Sequence, residues 1–134
     1  MSKILLFDEE VILSNEIREG FELKNSKIVP AYTYAEAISL IKASAFDAVL
    51  IDVVIPFDKI DRELNPNLVN NLRTGIEFKK HIVELIAAGE IKNKPKIYYF
   101  TARTDLTEDD QKNVDGTILK PKRPSEIFKK LAIS

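Results

Sequence analysis

The chain has no cysteine and no tryptophan, and only one methionine, one histidine and four glycines in 134 residues. Without cysteine, disulfides and thiolate metal sites are excluded, and a reducing compartment is the default reading. The lone histidine, His81, makes no imidazole metal site by itself and reads as structural or exposed. Long hydrophobic runs are missing as well: none exceeds four residues, whereas spanning a bilayer takes roughly 20. Met1-Ser2-Lys3-Ile4-Leu5-Leu6-Phe7 meets Asp8-Glu9-Glu10 before a signal-peptide core is complete. A cytoplasmic protein with no membrane contact is expected. Nor does charge of one sign dominate, since 20 Lys+Arg face 21 Asp+Glu for a net charge of −1. A generic binder of nucleic acid or membrane surface would be clearly basic, so direct nucleic-acid binding is not expected. What remains is one domain over residues 1–134, long enough to bury roughly two-thirds of its unfolded surface without staples.

Four apolar runs punctuate the chain at residues 4–7, 48–51, 97–100 and 117–119, with Ile28-Val29 a weaker fifth. Short continuous runs rich in β-branched and aromatic residues predict strands buried on both faces. Helical patterns lie between them. Leu13, Ile17 and Phe21 repeat at i, i+4, i+8 behind Glu9 and Glu10, acids that suit a helix N-terminus. Thr33-x-x-Glu36 predicts a capping box with Ala37, Ile38, Ile41 and Ala45 inward, and Thr74-x-x-Glu77 a second box opening residues 75–88, with Gly89 ending it. Thr107-x-x-Asp110 predicts a short fourth helix and Ser125 caps a fifth carrying Ile127, Phe128 and Leu131. Strands and helices alternate five times, which predicts a parallel sheet with helices on both faces. Residues 57–74 are long for a connection, and Asn65-Pro66 with Leu68 and Leu72 predicts a short extra helix near 66–73.

Ligands of open parallel sheets collect at the carboxyl ends of strands. Here the first strand ends in Asp8-Glu9, the third in Asp52, the fourth in Thr101-Ala102 and the fifth in Lys120-Pro121. Each residue alone has an ordinary explanation, because acids cap helices, Thr fills strands and Lys-Pro is common at turns. All of them at strand ends, in this order, is a stronger signal than any one of them.

This pattern resembles the receiver (REC) domain of two-component response regulators, the CheY-like family. The acidic pair Asp8-Glu9, Asp52 with Pro56 four residues on, Thr101-Ala102 and Lys120-Pro121 all match, and the resemblance covers essentially the whole chain. It implies a flavodoxin-like (βα)5 fold, a doubly wound parallel sheet of five strands in the order 2-1-3-4-5. It also implies that Asp52 is the phosphoacceptor, taking a phosphoryl group from a histidine kinase, a histidine phosphotransfer protein or a small donor. Thr101 would hydrogen-bond that group and Lys120 neutralise it. Asp8, Glu9, Asp52 and the Val54 backbone carbonyl would hold Mg²⁺, a cation suited to hard carboxylate oxygens. Such a protein turns over no free substrate and catalyses only its own phosphorylation and dephosphorylation. Its output would be altered contact with a downstream protein whose identity the sequence does not give. The Lys120–Pro121 bond would be cis.

The chain also departs from the family. Thr117 stands where an aromatic is usual, three residues before the Lys, and the interval from Thr101 to Lys120 is short. Residues 57–74 amount to an inserted loop beside Asp52, read either as surface elaboration or as a lid or partner surface. Val54 and Arg103 flank the site and by resemblance tune hydrolysis; their bulk predicts slow dephosphorylation. Lys122, Arg123, Lys129 and Lys130 read first as a solvated face, and Tyr98-Tyr99-Phe100 as a core strand. The chain stops at Ser134, soon after its last helix, which is read as a stand-alone regulator or phosphorelay carrier and equally as a receiver excised from a longer protein. Two other functions are weighed against it. One is a phosphorylation-independent pseudo-receiver. The other is a metal-dependent hydrolase or phosphotransferase, whose Asp-x-Asp pair would end the first strand, where this chain has Asp-Glu.

Overall fold

The apolar runs form β1 (Ser2–Phe7), β2 (Ser26–Ala31), β3 (Ala48–Ile51), β4 (Lys96–Thr101) and β5 (Gly116–Leu119) in the computed structural model, which describes residues 2–91 and 93–131. Neighbouring strands all pair in parallel, in the order β2-β1-β3-β4-β5. This is the flavodoxin-like topology expected from the resemblance. Only β2 is much longer than its apolar run, passing through Pro30, which an edge strand tolerates because one side of it needs no donor.

Among the described residues the α-helices are α1 (Val11–Glu22), α2 (Tyr34–Ala43), α3 (Lys59–Leu64), α4 (Thr74–Ala87) and α5 (Pro124–Leu131). Alternation along the strands divides the core in two. Leu5, Phe7, Val49, Ile51 and Tyr99 face α2 and α4, where Ile38, Ile41, Ile76, Phe78 and Ile82 meet them. Ile4, Leu6, Leu50, Phe100 and Ile118 face α1 and α5, where Ile17, Phe21, Ile127 and Leu131 are buried.

Several local expectations need correction. The Thr33 box forms, with the hydroxyl accepting from Glu36 N at 3.1 Å, but Glu36 Oε1 accepts from Tyr32 N at 2.7 Å. α2 stops at Ala43, leaving Ala45 exposed beyond it. Thr74 is not a cap: it is the first residue of α4, and its hydroxyl donates to the carbonyls of Ile55 and Asn71, tying the incoming connection down. Gly89, at φ +76°, ends α4 as expected. α5 begins at Pro124, a residue suited to the first helical position, so Ser125 lies inside the helix.

The extra helix exists, but upstream of the expected place. Asp58 Oδ1 accepts from Asp61 N at 2.9 Å and Asp61 Oδ2 from Asp58 N at 3.1 Å, an all-aspartate capping box that starts α3 at Lys59. Asn65-Pro66 ends this helix instead of starting one, and residues 66–73 hold only the 3₁₀ turn Asn71–Arg73. The fourth expected helix does not form. Thr107 and Asp110 do cap one another, at 3.0 and 3.2 Å, yet residues 108–113 stay as turns and Asn113 takes φ +65° before β5 begins.

Candidate functional site

Sheet register builds the site. Phe7 pairs with Ile51, so the next residues, Asp8 and Asp52, lie side by side, with Asp52 N donating to Phe7 O at 2.9 Å. Thr101 pairs with Leu119, which puts Lys120 just past the sheet edge, its N–H donating to Thr101 O at 2.9 Å. Strands buried on both faces must be apolar until they end, so the first polar residue after each one marks that edge.

Lys120 gathers the acids. Its Nζ donates to Asp8 Oδ2 at 2.7 Å and lies 3.4 Å from Asp52 Oδ2 and 3.5 Å from Glu10 Oε1. Beneath it the Phe100 ring centroid is 5.0 Å away, so the ammonium sits against a π face as well as the carboxylates. The Lys120–Pro121 bond is cis. Burial works to lower the Lys120 pKa, but the Asp8 hydrogen bond and the charges of Asp52, Asp8 and Glu10 outweigh it, and the ammonium is held above its usual value. Burial dominates at Asp52 and pushes its carboxyl up to about 6, with Lys120 opposing and Asp8 adding to the rise.

The third carboxylate is Glu10, not Glu9. Asp8 Oδ1 accepts from Glu10 N at 2.9 Å, an Asx turn that brings the Glu10 carboxylate, itself exposed, to the rim of the cluster. Asp8, Glu10 and Asp52 each offer an oxygen, all within 4.8 Å of one another, which suits a hard divalent cation. Val54 is half-buried, its N–H 3.4 Å from Asp52 Oδ1.

Thr101 is buried at the end of β4 and its Oγ1 accepts from Arg103 N at 3.2 Å. Ala102 is exposed. The Arg103 guanidinium makes two 2.8 Å contacts to Asp105 and donates to Leu72 O in the β3–α4 connection. Arg73 of that connection pairs with Asp110 at 2.8 Å. Thr117, half-buried on β5, has its Oγ1 3.4 Å from Gln111 Oε1.

Beyond the cluster, His81 is structural: Nδ1 takes a 2.7 Å hydrogen bond with the Tyr34 hydroxyl, and burial lowers the imidazole pKa. Lys122, Arg123, Lys129 and Lys130 are exposed. Glu10 is the residue that strand-end reasoning missed. Its signal was present as a third acid in the run Asp8-Glu9-Glu10, but which acid turns inward depends on backbone geometry.

No family model and no curated protein matches the chain. Solved structures do. A CheY-like receiver domain from Methylobacillus flagellatus superposes with a TM-score of 0.75 over 98% of this chain and 98% of that one, at 15% identity. The chemotaxis response regulator CheY4 of Vibrio cholerae gives 0.73 over 98% and 96%, at 20% identity. The response regulator TrrA from Thermotoga maritima, solved in complex with Mg²⁺-BeF, gives 0.73 over 98% and 96%, also at 20%. At these identities the likeness is one of fold: the chain has the fold of CheY-like response regulator receiver domains.

Proposed function

We propose that the chain is a receiver that accepts a phosphoryl group on Asp52 and, so modified, changes its contacts with a downstream protein. One observation carries this reading. At the sheet edge of a receiver fold, the buried Asp52 carboxylate lies beside two further acids, Asp8 and Glu10, and 3.4 Å from the Lys120 ammonium.

The chemistry follows from that arrangement. An Asp52 oxygen attacks phosphorus while the P–N bond to a donor imidazole, or the P–O bond of a small donor, breaks; transfer of this kind asks mainly for positioning and charge neutralisation. Ionised Asp52 is the competent nucleophile, and above a pKa of about 6 it is in that form at neutral pH. Lys120 is placed to hold a phosphoryl oxygen, and the Thr101 hydroxyl to donate to another once it turns from Arg103 N. Asp8, Glu10 and Asp52, with the Val54 carbonyl, would hold Mg²⁺. When bound, that ion supplies positive charge against the carboxylates and phosphoryl oxygens. Glu10 takes the place expected of Glu9. The proposed donor is a histidine kinase or histidine phosphotransfer protein, in the cytoplasm, with no role for nucleic acid or membrane. Among the described residues no helix is long and apolar enough to cross a bilayer.

Titration with beryllofluoride and Mg²⁺, followed by NMR, tests the reading. The expected result is a saturable shift of the Thr101, Ala102 and Lys120 amides that Asp52→Asn abolishes. Amides that stay unmoved at saturation would favour a phosphorylation-independent interaction module, to which Thr117 in place of an aromatic also points.

A further inference from the structure

Four of the large apolar side chains left exposed lie on the β3–α4 connection: Ile60 (63% exposed), Leu64 (47%), Val69 (74%) and Leu72 (53%). None of them is needed to hold that connection in place. Leu68 is the side chain plugged into the core, Asp61 Oδ1 accepts from Ala35 N at 2.9 Å at the start of α2, and Asn65 Nδ2 donates to the Tyr34 hydroxyl at 2.9 Å. With α3 anchored through Asp61, its Ile60 and Leu64, one turn apart, form an apolar stripe open to another molecule.

A second stripe runs beside the first. Lys59 and Glu63 are also one turn apart and exposed, and neither has an ion-pair partner within the chain among the described residues. Lys preceding Glu is the weaker order for pairing along one helix, which leaves both charges available across an interface. An apolar pair and an opposite-charge pair at the same spacing make a self-complementary pattern. When two copies lie antiparallel about a two-fold axis, Ile60 faces Leu64 of the partner subunit and Lys59 reaches Glu63 of the partner subunit, each contact occurring twice. A net charge of −1 adds little repulsion between copies.

We propose that this stripe seats a second copy of the chain in an antiparallel α3–α3 contact. Six helical residues make a small interface, so the dimer is weak and fills only at high concentration.

Sedimentation equilibrium over a concentration series up to about 1 mM tests it. The apparent mass is expected to rise from one copy toward two, and Ile60→Asp to hold it at one copy. Lys59→Glu and Glu63→Lys should each weaken association several-fold, and mixing these two single variants should restore it as a dimer of one with the other. All three positions are exposed, so circular dichroism should find each variant folded. A chain that stays monomeric throughout overturns the proposal, as does a dimer indifferent to Ile60→Asp or one that mixing Lys59→Glu with Glu63→Lys fails to restore.

Discussion

Asp52 carries the energetic cost of the proposed site. Its carboxyl is buried and its pKa stands at about 6, above the unfolded value, so the folded state binds that proton more tightly than the unfolded chain. The stability this gives is fully present below the unfolded pKa and is lost as pH rises through about 6. At neutral pH the native protein therefore holds an ionised, desolvated carboxylate that an amide would spare it. Asp52→Asn is expected to be more stable than the parent by about 2 kcal/mol at about pH 7.5 without divalent cations, the gap closing toward about pH 4.5. Urea unfolding at the two pH values checks it; a gap that stays constant would remove burial as the cause. Gly75 shows a second residue-scale constraint. A Cβ there would stand 2.1 Å from Asp52 O and 2.7 Å from Val53 Cα, both backbone atoms with no freedom to rotate away. Gly75→Ala is expected to cost about 3 kcal/mol or more, read from the same unfolding measurement, and to disturb Asp52 itself.

Two connections distinguish this chain at the level of its elements, and they brace each other. The β4–β5 connection has no helix, and side chains from elsewhere hold it instead: Arg73 pairs with Asp110, Lys79 Nζ donates to Lys112 O at 2.8 Å, and the Tyr99 hydroxyl donates to Asp110 O at 2.5 Å. In return Arg103, two residues after Thr101, donates to Leu72 O of the β3–α4 connection. Removing the guanidinium leaves that carbonyl without its charged donor. Arg103→Ala is expected to speed amide exchange across residues 69–73 about tenfold, with β1 amides unchanged; equal rates in parent and variant would show that the brace carries no energy. The same contacts explain which elements were hard to read. Asp58-x-x-Asp61 is a capping box written with aspartate at its last position, so the Asn65-Pro66 pair looked like a better start than it is. Thr74 has the spacing of a cap, but its hydroxyl is taken by carbonyls from the preceding connection. Thr107 and Asp110 do cap each other, yet the left-handed Asn113 comes before a helix can propagate.

Across the whole molecule, the sheet was legible because strands buried on both faces show as apolar runs, and the residues ending those runs fall at one edge. Parallel pairing then needs only the register, Phe7 with Ile51 and Thr101 with Leu119, to bring Asp8, Asp52 and Lys120 together. What stayed hidden is non-local. Asp61 meets Ala35 across 26 residues, Asn65 meets Tyr34 across 31 and Arg103 meets Leu72 across 31, and no sequence window contains such pairs. Glu10 was hidden by a single turn, since an acid two residues past Asp8 faces the site only because Asp8 accepts its N–H. The central proposal is that Asp52 is a phosphoacceptor in a Mg²⁺-assisted site. The most direct measurement is the intact mass of the protein after incubation with acetyl phosphate, with and without Mg²⁺. The expected result is a single phosphoryl group, dependent on Mg²⁺ and absent from Asp52→Asn. An unmodified mass under every phosphodonor, or a phosphoryl group that Asp52→Asn still acquires, would contradict it.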